Sequence, residues 1–145
     1  MAVTSKVYGL AQQSLANKEI DYDSDVIKVM LCTSVYVPDQ DAHRYKSSVT
    51  NEVVGTGYAA GGNTLTAKTI TYDLATNIFK LSAANPSWPG STFTARYAVF
   101  YDDTPATDVT KPLICFWDFG QDFSSTAGAF DLTINAAGLV TMTAA

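Results

Sequence analysis

Apolar residues in this chain gather in short runs, some near-continuous and some alternating at every second position, broken by glycine, proline, asparagine and aspartate. Alternation of that kind places one set of side chains on a single face of a pleated strand. The two strongest runs are Thr94 to Tyr101 and Pro112 to Phe119, which flank a polar loop. Both are rich in aromatic and β-branched residues, which fit a pleated, half-buried surface. They hold Trp117 and much of the Phe and Tyr, so Trp117, Phe116, Tyr97 and Val99 are the predicted centre of the core.

The remaining pattern fills in around this pair. Val26 to Thr33 is apolar at nearly every position, as a strand covered on both faces would be. Thr64 to Ser82 reads as a hairpin turning at Asp73 to Asn77. Ala129 to Ile134 sets Phe130, Leu132 and Ile134 opposite Asp131 and Thr133. A hairpin loop at Asn135 to Gly138 then leads into a last strand, Leu139 to Thr143. Ser34 to Val49, Ala83 to Thr92 and Phe123 to Gly128 read as loops or turns, the second with a Trp88–Pro89 bond whose default is trans.

Only Thr4 to Lys18 has the helical period, with Val7, Leu10, Ala11, Ser14 and Leu15 on one face and Thr4 or Ser5 able to cap it. The sum is roughly seven to nine short strands with turns about every eight to twelve residues. The expectation is one all-β domain over residues 1–145, a β-sandwich or jelly-roll-like fold with a short N-terminal α-helix at about residues 4–18.

Composition narrows the function more than the fold. The chain has 145 residues, 47% of them hydrophobic, so it needs no disulfide to build a core. Its net charge is −5 with only nine Lys and Arg, which argues against a nucleic-acid surface. No apolar run approaches the roughly 18 residues of a membrane span. The first residues lack the apolar stretch of a secretory signal, so synthesis and folding in a cytoplasm are expected. Cys32 and Cys115, the only cysteines, each sit in an apolar strand and read as buried thiols, with a disulfide between them left open.

The candidate chemistry is thin. Asp21, Asp23 and Asp25 open like a calcium loop, but Val26 and Cys32 stand where an EF-hand has Gly and Glu. His43 is the sole histidine, without the partners of a zinc site or a catalytic triad. Gly55, Gly57, Gly61 and Gly62 precede a strand, whereas a phosphate loop needs a helix there. The carboxylate pairs Asp102–Asp103 and Asp118/Asp122 lie at a turn and a strand end, where Asp is common. No cofactor, no metal and no enzymatic activity are expected.

Three stretches carry a resemblance. Thr50 to Leu65 reads T-N-E-V-x-G-T-G-Y-x-x-G-G-x-T-L, Ala95 to Tyr101 reads A-R-Y-A-V-x-Y, and Asp118 to Phe130 reads D-F-G-x-D-x-S-S-T-A-G-x-F. Together they resemble a small family of tailed-bacteriophage virion structural proteins, along nearly the whole chain from Lys6 onward. The resemblance implies a capsid decoration (cement) protein on the major capsid protein, forming a homo-oligomer, most simply a trimer at local threefold positions. A neck or tail component is the alternative within the virion. A carbohydrate-binding β-sandwich is the alternative outside it, with Trp88, Tyr36 and Tyr45 as the sugar platform. The contact surface is expected on the segments outside the hairpins: Val7, Leu10 and Leu15 of the helix, and Tyr36, His43, Arg44 and Tyr45 of the long loop.

Overall fold

The computed structural model describes residues 3–144. The strands and the α-helix follow one another in this order: β1 (Thr4–Val7), α1 (Gly9–Ala16), β2 (Ile27–Cys32), β3 (Asn63–Thr64), β4 (Thr69–Asp73), β5 (Ile78–Ser82), β6 (Ser87–Asp102), β7 (Leu113–Asp131) and β8 (Val140–Thr143). They form two antiparallel sheets, a five-stranded one ordered β1-β7-β6-β2-β3 and a three-stranded one ordered β4-β5-β8. The protein is all-β and sandwich-like with one short helix.

The large sheet is apolar on both faces, and the register shows why. Met30, Val99 and Phe116 lie side by side on one face; one residue along, Leu31, Ala98 and Trp117 lie side by side on the other. Each face heads its own core cluster. Leu81 of β5 and Val140 of β8 pack into the Trp117 side. Tyr8, Ala11 of α1 and Tyr36 pack into the Phe116 side. Trp117, Phe116 and Val99 are core residues as expected, while Tyr97 is only half-buried and packs at the edge of its cluster.

The N-terminal helix is shorter than its periodicity suggested. Thr4–Val7 is an edge strand of β-compatible residues, pairing Ser5 with Trp117 and Val7 with Cys115. Tyr8 stands at the N-cap position in an extended conformation, so neither Thr4 nor Ser5 caps the helix. Gly9 begins α1, and its N–H donates to the Gln40 carbonyl at 2.9 Å.

Two segments expected as loops are strand. β6 begins at Ser87 and runs through Pro89, and β7 continues through Phe123 to Asp131, with bulges that bend the ribbon. Serine satisfies itself across the strands here: the Ser91 and Ser125 hydroxyls lie 2.6 Å apart, as do those of Thr94 and Ser124. The Trp88–Pro89 bond is trans.

The hairpin expected over Thr64 to Ser82 is really Thr69 to Ser82. Asn63 and Thr64 pair with β2, and the chain crosses between sheets at residues 65–68, where Ala67 has a positive φ of 48°. Likewise, the turn closed by Gly138 does not join a hairpin, because β8 pairs with β5.

Candidate functional site

The segments named as free contact elements turn out to be bound to each other. Residues 34–49 form a long loop lying over α1 and the Phe116 face of the large sheet. The Tyr36 hydroxyl lies 2.9 Å from that of Tyr8 and 3.0 Å from His43 Nδ1, and its ring stacks on the imidazole. Asp39 N–H donates to the same Nδ1 at 3.3 Å. Arg44 donates to Gln13 Oε1 at 3.1 Å and to Glu19 Oε1 at 2.9 Å, and Tyr45 donates to Glu19 Oε2 at 3.2 Å. Backbone bonds tie the loop onward, from Leu113 N–H to the Arg44 carbonyl and from Lys46 N–H to the Lys111 carbonyl.

The cause is the second apolar face. Met30, Cys32, Val99, Tyr101, Leu113 and Phe116 would face water without a cover, and Tyr8, Ala11 and Tyr36 supply it. Tyr36 is only 1% exposed, and burial pushes its hydroxyl up to about 12. Val7 sits in β1, while Leu10 and Leu15 are half-buried, Leu15 against the Trp117 cluster. Of the seven predicted contact residues, Tyr36 is thus a core residue, and His43, Arg44 and Tyr45 serve mainly as the clasp between loop and helix. The loop instead presents Val35 and Val37, which flank Tyr36 and are exposed because neighbouring side chains point to opposite sides.

The sugar platform does not exist as expected. Trp88 is 2% exposed and packs among Tyr58, Phe93 and Phe130, in a different cluster from Tyr36. Alternation could not have shown this, since register shifts between Trp88 and Ser91 and between Ser91 and Phe93 put Trp88 out of phase with Phe93 and Ala95.

The other candidate groups have structural partners. Asp21 and Asp25 close a turn, with Asp21 N–H donating to Asp25 Oδ2 at 2.8 Å and Ser24 N–H to Asp21 Oδ1 at 3.2 Å. Asp103 accepts ion pairs from Lys28 and Lys111, both at 2.7 Å. Asp118 binds Arg96 at 2.6 Å, and that guanidinium holds its carboxyl below the usual carboxylate range. Asp102 is fully buried, and desolvation, then the neighbouring Asp25 carboxyl, pushes it up to about 7. Cys32 and Cys115 are both buried and unbonded, on opposite faces of the large sheet; burial lifts the Cys32 thiol to about 12 and the Cys115 thiol further. Among the described residues no cluster of three or more His, Cys, Asp or Glu could hold a metal ion, and no helix is long and apolar enough to cross a membrane.

The glycine-rich stretch is a brace. Glu52 accepts from the Tyr58 hydroxyl at 2.7 Å and from Gly61 N–H at 2.6 Å, while Tyr58 accepts from Leu31 N–H at 2.9 Å. Gly62 has φ +74°, and a Cβ there would run into the Val29 carbonyl oxygen. Open on the surface are a groove of about 590 Å³ beside β1, floored by Trp117, Phe119 and Phe130, a second of about 370 Å³ lined by Leu15, Tyr22, Ile70 and Phe79, and a set of exposed apolar residues on the small sheet.

No family model, no curated protein and no solved structure matches this chain.

Proposed function

We propose that this chain is a structural component of a tailed-bacteriophage virion, a decoration protein that seats on the outer surface of the major capsid lattice and stabilises the head without catalysis. The observation that supports the reading is where the residues of the resemblance lie. Glu52, Tyr58, Gly61 and Gly62 brace β2 from the first stretch. Arg96 of the second pairs with Asp118 of the third, whose oxygen also accepts from Gly120 N–H at 2.7 Å. Ser125 and Phe130 of the third are buried against β6 partners. The pattern therefore specifies a scaffold, and a scaffold pattern suits a protein whose task is to be a rigid part.

Seating would use exposed apolar side chains outside the two cores, Val35 and Val37 of the long loop first among them. A homotrimer remains the arrangement proposed from the lattice geometry. Cryo-electron microscopy of the parent particle tests the reading directly. Density for this fold on the capsid surface supports it. The same density at the neck or in the tail transfers the chain to the other virion role, and its absence from the particle overturns both.

A further inference from the structure

We infer that β4 is a self-pairing edge: two copies of this chain join their β4 strands antiparallel about a twofold axis at Thr71, fusing the two small sheets into one of six strands. This contact is independent of the virion reading and is tested on the isolated protein.

The first ground is the open edge. β4 is an outer strand of the small sheet, and all five of its residues are exposed. Among the described residues its backbone hydrogen-bonds only to β5. Outward N–H and C=O groups in that state are a template for another strand.

The second ground is that the usual guards are missing. The strand has no proline and no bulge. Lys68, just before it, is drawn inward, its ammonium donating to the Asp25 carbonyl and lying 5.7 Å from the Tyr22 ring centre. Asp73, at the other end, spends a carboxylate oxygen on Ala75 N–H at 2.8 Å. Lys68 is thereby withdrawn from the edge, and one Asp73 oxygen is already taken.

The third ground is the side-chain pattern, which suits a second copy of β4 and sets its register. Ile70 and Tyr72 lie in register with Leu81 and Phe79 of β5 and with Val140 and Met142 of β8. That face is the inner one, since Leu81 and Val140 are core. Yet Ile70 is 47% exposed and Tyr72 48%, because the inner face runs out past the large sheet. A second β4 keeps its apolar row on the same face only if paired positions sum to an even number. Of those registers, the one centred on Thr71 pairs all five residues. It sets Ile70 opposite the copy's Tyr72, Thr69 opposite Asp73 and Thr71 opposite itself. No like charges meet, and the apolar row continues across the axis.

The area sets the strength. Five residues a side fall well short of the roughly 800 Å² per partner of a standard stable interface. The free protein therefore pairs weakly, and copies held close together on a surface pair far more completely.

Cysteine crosslinking reads the register. Thr71→Cys meets its own copy at the axis, whereas Thr69→Cys on the same strand face faces Asp73, about 13 Å along the strand from its own copy. A disulfide cannot span that distance. Cys32 and Cys115 are buried and stay out of the reaction. At millimolar protein under mild oxidant, Thr71→Cys is expected to form a covalent dimer at least tenfold faster than Thr69→Cys. Adding Ile70→Lys to Thr71→Cys is expected to abolish the difference while leaving the circular dichroism spectrum unchanged. Equal rates at the two positions, or a faster reaction at Thr69→Cys, overturn the proposal, as does a failure of Thr71→Cys to crosslink at all.

Discussion

The hydroxyl of Tyr8 lies 2.9 Å from that of Tyr36, between the helix and the large sheet, and no other hydrogen-bond partner among the described residues reaches it. Tyr36 has a second partner in His43 Nδ1. The two tyrosines are therefore unequal. Tyr36→Phe leaves a fully buried Tyr8 hydroxyl unpaired, which costs about 1–3 kcal/mol. Tyr8→Phe leaves Tyr36 bonded to His43 and is expected to cost less. The double variant is expected to fall near or below the cost of Tyr36→Phe alone, since it removes the orphan. Urea midpoints of the three variants check the order, and Tyr8→Phe as the costlier single change contradicts it.

Trp117 and Phe100 provide the second test, with ring centres 5.0 Å apart on the small-sheet side of the core. Either change to Ala is expected to cost about 3–5 kcal/mol. Because the two rings touch, the double variant should cost less than the sum. Trp117→Ala with Met30→Ala should come closer to additive, because Met30 belongs to the cluster on the other face. Denaturation midpoints that show equal coupling in both pairs would mean that the sheet does not separate two cores.

The readable parts of this fold were those where local pattern and burial agree. The two apolar strand runs holding Tyr97, Val99 and Phe116, the turn at Asp73 to Asn77 with its positive φ at Asn77, and the buried row Phe130, Leu132, Ile134 all follow from hydrophobic pattern and turn chemistry. The failures come from context. Ser124 to Gly128 has the composition of a turn but is strand, because Ser91 and Thr94 supply hydroxyl partners from a strand distant in sequence. Thr4–Val7 carries helical spacing but pairs with β7 instead. The packing of the predicted contact residues was hidden for one reason: β2 showed that the sheet was covered on both faces, and nothing local showed that α1 and Tyr36 were the cover. The open edge of β4 was equally hidden, since an edge is a property of sheet order.

Gly62 tests the brace. A Cβ at this position meets the Val29 carbonyl and lies 2.7 Å from Met30 Cα, and φ is +74°. Both the left-handed backbone and the close approach to β2 oppose a side chain. Gly62→Ala is expected to destabilise by at least about 1–3 kcal/mol. Gly90→Ala is the control, with a similar φ of +61° and open space around it, so only the strain of the backbone remains. Thermal melts that rank Gly90→Ala as the worse change would remove Gly62 from the brace.

The last prediction concerns pH and rests on Asp102. Its side chain is fully buried, Oδ1 accepts from Thr104 N–H at 2.8 Å, and Oδ2 has no donor among the described residues. Desolvation is the main reason that its pKa rises from 3.8 to about 7, with the Asp25 carboxyl adding to it. Between those two values the folded chain keeps a proton that the unfolded chain has released. Stability therefore falls as pH rises through this window, by up to about 1.4 kcal/mol per pH unit. Asp118 and Asp108 have the opposite sign: Arg96 and Lys46 hold them below the usual range, so their contribution is lost only as the medium becomes more acidic than about pH 4. Maximum stability is accordingly expected near pH 4–5. Asp102→Asn keeps an acceptor for Thr104 and carries no charge, so it should flatten the profile between pH 4 and 7 and exceed the parent in stability above pH 7. Melting temperatures across pH 4 to 8 decide the point, and a parent protein that gains stability from pH 5 to 7 would show that Asp102 is ionised in the fold.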